Sequence, residues 1–120
     1  MEILGTTLRI YVDTADALTT TAAFYERITG ATAQRFDRGG VSVAAVGCFL
    51  VMSGPPEEID LLRKLTATVA VKDVTEAHVT LTAAGAQIVA GPVPTPAGRS
   101  LIALHPDGSV FEYVDRNPTP

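Results

Sequence analysis

Gly98-Arg99-Ser100-Leu101-Ile102-Ala103-Leu104-His105-Pro106-Asp107-Gly108-Ser109-Val110-Phe111-Glu112-Tyr113-Val114-Asp115 holds two extended runs around a Pro-Asp-Gly turn. Pro presets one backbone angle of such a turn. Asp can bond its own backbone, and Gly accepts the positive φ that closes it. A β-hairpin is predicted. Glu112 interrupts a strand otherwise made of Val110, Phe111, Tyr113 and Val114. A carboxylate at that place must meet water, a partner charge, a metal or a ligand, because leaving it buried and unpaired is costly.

Working outward, the chain reads as two similar halves. Thr6–Val12 alternates, with Leu8, Ile10 and Val12 on one face and Thr7, Arg9 and Tyr11 on the other. Asp13-Thr14-Ala15-Asp16 carries helix-start chemistry. Leu18, Ala22, Tyr25 and Ile28 follow at helical spacing, and Gly30 can end the helix. In the second half, Thr66–Val71 sets Ala67, Val69 and Val71 against Thr66, Thr68 and Ala70. Lys72-Asp73-Val74-Thr75 starts a helix carrying Val74, Ala77, Leu81 and Ala84, which Gly85 ends.

Three short extended runs follow each helix: Ala31–Asp37, Val41–Val46 and Cys48–Ser53, then Gln87–Gly91, Ser100–His105 and Val110–Asp115. The order βαβββ therefore occurs twice. A single domain is expected, made of a module over residues 1–53, a linker over 54–63 with room for a helical turn after Pro55-Pro56, and a module over 64–120. The proline-rich run 91–98 is expected to be a rigid loop that does not pair as a strand, placed to act as a rim or lid.

Composition narrows the functions. The chain is 47% apolar and 18% charged, so it is globular and not disordered. Its net charge is −4 and no basic cluster exceeds Arg63-Lys64, which argues against nucleic-acid partners. No apolar run approaches the roughly 20 residues that span a bilayer. The start of the chain shows no basic segment leading into a long apolar run, and Cys48 is the lone cysteine. A cytoplasmic protein is expected. Cys48 lies in an apolar run and reads as a buried, inert thiol.

Phe24-Tyr25-Glu26-Arg27-Ile28-Thr29-Gly30, then Gly98-Arg99, His105-Pro106-Asp107-Gly108 and Glu112, resemble the vicinal oxygen chelate superfamily, the glyoxalase, bleomycin-resistance and extradiol-dioxygenase group. The family usually has Asp where His105 stands. The resemblance covers essentially the whole chain. It implies an α+β fold of two βαβββ modules whose mixed sheets curve into a cup, with the helices outside and ligands inside.

In the family's metal-using members, His, Gln or Glu from four strand positions hold a divalent ion. The carry-over places these positions at Thr7, Val51, Thr66 and Glu112. Only Glu112 is a strong ligand, and catalytic zinc sites usually need three. No metal and no cofactor are expected. His78 reads as a half-exposed helix residue, and His105 as a turn cap or solvated side chain.

Thr7, Arg9, Tyr11, Phe49, Val51, Thr66, Thr68, Arg99 and Glu112 are expected to line or border the cup. They imply a small organic ligand held without a metal, as in drug-sequestering relatives. The enzymatic alternatives are a lyase or isomerase with Glu112 as general base, or a metal-dependent glyoxalase- or dioxygenase-like enzyme. The purely structural alternative pairs Glu112 with Arg9 or Arg99. A homodimer is expected, because open sheets leave strand edges that a partner would cover.

Overall fold

The computed structural model describes residues 1–117, so the last three positions of the expected 64–120 module lie outside the described residues. The chain forms β1 (Ile3–Tyr11), α1 (Ala15–Thr29), β2 (Gln34–Arg38), β3 (Val41–Val46), β4 (Phe49–Ser53), α2 (Pro56–Leu62), β5 (Ala67–Val71), α3 (Val74–Ala83), β6 (Gln87–Pro94), β7 (Arg99–Leu104) and β8 (Val110–Asp115). This is the α+β order of two βαβββ modules with a short helix between them.

Two compact units result, Thr7–Lys64 and Met1–Thr6 together with the chain from Leu65 onward. The division falls inside β1. Its first residues belong with the second unit, where the Lys72 N–H donates to the Glu2 carbonyl at 3.0 Å.

In the first unit β1 runs parallel to β4, and β3 lies antiparallel to both β4 and β2. Thr14 caps α1 by accepting from the Ala17 N–H at 3.0 Å, and Gly30 closes it in the left-handed conformation. α1 buries Leu18 and Ala22 against Ala44, Val46 and Val51, with Ile10, Val12 and Tyr25 at the margin. Ile28, expected on this inner face, is exposed. α2 starts on Pro55-Pro56, where a missing N–H costs nothing. It buries Ile59 against Val41, Val43 and Met52 on the other side of the sheet.

In the second unit β5 runs parallel to β8, and β7 lies antiparallel to both β8 and β6. Asp73 caps α3 by accepting from the Thr75 N–H at 2.7 Å. Val74, Ala77 and Leu81 of α3 pack on Val69, Val71, Leu101, Ala103 and Tyr113. The hairpin predicted from the sequence is present, with the His105 N–H bonded to the Ser109 carbonyl across the turn. Gly98 is required there. A Cβ at this position would run into the Asp115 carbonyl and lie 2.6 Å from the Arg116 Cα.

Two expectations need correction. The run 91–98 is not simply a loop, because β6 continues to Pro94 and pairs Val93 with Ser100 and Pro94 with Arg99. Register shifts at Ala90 and Val93 accommodate the prolines, which an edge strand tolerates. Cys48 is exposed, because the chain turns at Gly47-Cys48 before β4 begins.

Candidate functional site

Each sheet has one face toward its long helix and one away from it. The cross-strand register assigns every side chain, since residues directly opposite share a face.

In the second unit, Thr68, Glu112 and Ile102 form one row across β5, β8 and β7. Their neighbours Val69, Tyr113 and Leu101 form the next row and pack on α3. Thr68 and Glu112 therefore lie on the face away from α3, as the alternation predicts. Thr68 is 5% exposed, Ser100 2% and Glu112 4%. Thr68 Oγ1 donates to Glu112 Oε1 at 3.1 Å, and Ser100 Oγ donates to Oε2 at 3.0 Å. Both carboxylate oxygens are thus held by neutral hydroxyls, which fixes the plane of the group. Ser100 was not anticipated. The turn register could have found it: Leu104 faces Val110, so Ile102 faces Glu112 and Ser100 lies diagonally across. Thr66 precedes β5 and is exposed, its N–H bonded to the Val110 carbonyl.

Arg99 lies on the other side. It shares its face with Leu101, toward α3, and does not border the polar row. Its guanidinium meets Asp115 Oδ2 at 2.8 Å and Asp73 Oδ1 at 3.0 Å, and donates to Thr75 Oγ1. Burial pushes the Asp115 carboxyl up. The Val74 N–H, the Arg99 guanidinium and the Asn117 N–H outweigh that and hold it below the usual carboxylate range. Arg99 is raised by the Asp115 hydrogen bond foremost. This cluster fastens the start of α3 to the hairpin. It removes Arg99 as the partner of Glu112 and as a ligand-facing residue. His105 stacks on Phe111 with ring centroids 4.4 Å apart, and its Nε2 lies 2.7 Å from the Tyr113 hydroxyl. It is packed on the hairpin and is not a solvated cap. His78 is half-buried on α3.

In the first unit the expected polar face is mostly filled. Arg9 faces Leu50 and Tyr11 faces Met52 across the parallel β1–β4 pair. Ile59 and Leu62 of α2 pack on this same face with Val41 and Val43. The Tyr11 hydroxyl donates to the Leu62 carbonyl at 2.8 Å and accepts from Arg9 Nε at 2.9 Å. Arg63 lies over the Tyr11 ring at 4.6 Å. Arg9 Nη2 is 3.9 Å from Met52 Sδ. Thr7 lies two residues before Arg9 on the same face and is half-buried.

Phe49 and Val51 do not join this face. Val51 is fully buried with Leu18 and Ala22 of α1. Phe49 stacks on Tyr25 of α1, with centroids 4.0 Å apart. The β4 residues beside Arg9 and Tyr11 are Leu50 and Met52. The expected strand positions thus offer threonine hydroxyls, an apolar β4 residue and one carboxylate. Among the described residues, no group of three or more His, Cys, Asp or Glu side chains is placed to hold a metal ion.

No protein-family model matches the sequence, and no curated protein does. Solved structures do match. An uncharacterized protein from Methanosarcina mazei is 32% identical over 100% of this chain and 98% of its own, with a TM-score of 0.87. Methylmalonyl-CoA epimerase from Mycobacterium tuberculosis is 18% identical over 98% of this chain and 90% of its own, with a TM-score of 0.68. A second structure of a methylmalonyl-CoA epimerase gives 20% identity, 96% and 99% coverage and a TM-score of 0.62. Among the described residues, no helix is long and apolar enough to cross a membrane.

Proposed function

We propose that this chain, which shares the fold of the solved methylmalonyl-CoA epimerases, belongs to the vicinal oxygen chelate superfamily and binds a small organic molecule, without a metal, on the face of the second unit's sheet that carries Glu112. The observation that carries this reading is the Glu112 carboxylate, 4% exposed in the middle of β8 with a hydroxyl on each oxygen. A group fixed in this way is a preorganised acceptor for an N–H, O–H or cationic group of a guest. Thr68, Ser100 and Ile102 surround it, and Thr66 is the rim candidate. Tyr11 helps to hold α2 through the Leu62 carbonyl.

The protein works in the cytoplasm as a homodimer. The test is calorimetric titration with a panel of small amines, alcohols and carbonyl compounds, with and without chelator. At least one should bind, with an affinity unchanged by chelator and reduced about tenfold or more by Glu112→Gln, the loss of a charge-assisted hydrogen bond. Binding that requires an added divalent ion overturns the metal-free reading.

A second reading is an isomerase or lyase with Glu112 as general base. It is favoured by the solved epimerases that share the fold, since moving a proton at carbon calls for a placed base. Solvent deuterium entering a carbonyl compound at the adjacent carbon, and ceasing in Glu112→Gln, would establish it.

A further inference from the structure

We propose that β2 pairs antiparallel with β2 of a second copy, about a two-fold axis through Phe36. This rests on the homodimer reading above and names its surface. Among the described residues β2 is an edge strand of the first unit, paired only with β3, and all five of its residues are exposed. An edge of that kind presents a row of backbone donors and acceptors to any matching strand.

The two units treat their edges differently. β6, the edge of the second unit, carries Pro92 and Pro94 and is broken by two register shifts. Such an edge cannot template a further strand. β2 pairs with β3 in unbroken register from Gln34 to Arg38 and contains no proline or glycine.

The sequence of β2 matches itself when reversed. With Phe36 opposite Phe36, Arg35 of each copy faces Asp37 of the other, and Gln34 faces Arg38. Arg35 and Asp37 share the α1 side of the strand, as Arg35 Nη1 donating to Thr19 Oγ1 of α1 at 3.0 Å shows. Phe36 lies on the opposite side and is 38% exposed. One face of the ribbon thus gains two opposite-charge cross-strand pairs, and the other gains an aromatic pair. A two-fold axis repeats each contact, so a self-matching strand specifies an isologous dimer. Five residues a side make a small contact, and the association is reversible.

The test is sedimentation of the whole chain from about 10 to 200 µM, a range that resolves weak dimers. The wild type should dimerise. Arg35→Asp alone and Asp37→Arg alone should each weaken the dimer about tenfold or more, because each places like charges opposite one another twice. An equimolar mixture of the two should recover dimer, since their charges then complement. The double variant Arg35→Asp/Asp37→Arg should dimerise by itself. Thr19→Ala, which removes the bond from Arg35 and the hydroxyl's own bond to the Ala15 carbonyl within α1, should leave the dimer intact.

A wild type that stays monomeric overturns both the homodimer and the edge pairing. A dimer indifferent to the single reversals overturns the edge pairing alone. So does a mixture that fails to recover. Should a reversal fail to fold, amide exchange in the wild type decides: residues 34–38 must become protected as concentration rises, and unchanged exchange overturns the pairing.

Discussion

The sheet faces turned away from α1 and α3 make an instructive pair. Across the parallel strands Arg9 faces Leu50 in the first unit, and Thr68 faces Glu112 in the second. Arg9 and Thr68 occupy matching strand positions, so Leu50 stands where Glu112 does. The first face was completed with apolar side chains and covered by α2. The second kept a carboxylate and two hydroxyls. A repeated fold therefore requires only that each sheet's helix-facing row stay apolar. The other row is free to become a second core or a polar site.

The largest expected effect breaks the first unit on its helix side. Val51 has no exposed surface, and its neighbours Leu18, Ala22, Ala44 and Val46 leave no space for an indole. Val51→Trp should cost about 3 kcal/mol or more through overpacking. Chemical denaturation would check this. A variant as stable as the wild type would place Val51 on an open face after all.

Next comes the fastening of the second unit. Asp115 accepts from Val74, Arg99 and Asn117 while almost wholly buried. Asp115→Ala should cost about 3 kcal/mol, because the Val74 and Asn117 N–H groups lose their acceptor and Arg99 loses one of its two carboxylate partners. Its carboxyl is held below the unfolded value near 3.9. The stability it supplies is thus full above that value and is lost as pH falls through the lower folded value. Melting curves from pH 6 to pH 2 should show the wild type losing more stability below about pH 4 than Asp115→Asn does.

How far the sequence disclosed these faces depended on whether a strand alternates. β5 alternates Ala67, Val69, Val71 against Thr68 and Ala70, and its inward row was legible. Gly30 and the Pro-Asp-Gly turn likewise announced themselves. β4 reads Phe49-Leu50-Val51-Met52, apolar at every position, so nothing local sets its phase. Its parallel pairing with β1 does, by setting Val51 beside Ile10. One step of phase moves the whole strand to the other face. Arg99 misled in a similar way. Leu101-Ile102-Ala103-Leu104 after it erases the alternation, and its acidic partners come from the α3 cap and the end of β8. That α2 seals the first face was hidden because a seven-residue helix with one buried side chain leaves no periodic trace.

A smaller effect sharpens the contrast by loosening α2. Tyr11→Phe removes the bond to the Leu62 carbonyl and the acceptor for Arg9 Nε. The cost should be about 1 kcal/mol. Amide exchange should quicken in Pro56–Leu62 and remain unchanged in α3, since both hydrogen bonds lie within the first unit. Equal quickening in both helices would mean that Tyr11 supports more than its own face.

The smallest stability effect should come from the residue with the most chemistry. Glu112→Gln keeps the size and planar shape of the side chain and still offers one oxygen to a hydroxyl. The other position becomes an N–H₂ group facing a hydroxyl that can rotate to accept from it. Thr68 and Ser100 thus keep their partners, and no cavity opens in β8. Stability should change by less than about 1 kcal/mol, in contrast to Asp115→Ala, where N–H donors that cannot reverse direction lose their acceptor. Glu112→Ala differs again. It removes the acceptor to which both hydroxyls donate and should cost about 2 kcal/mol. The ordering Ala worse than Gln, with Gln near the wild type, marks Glu112 as a group kept for its charge. Should Gln prove as damaging as Ala, the charge itself holds the strands together, and the second face is a polar core and not a binding site.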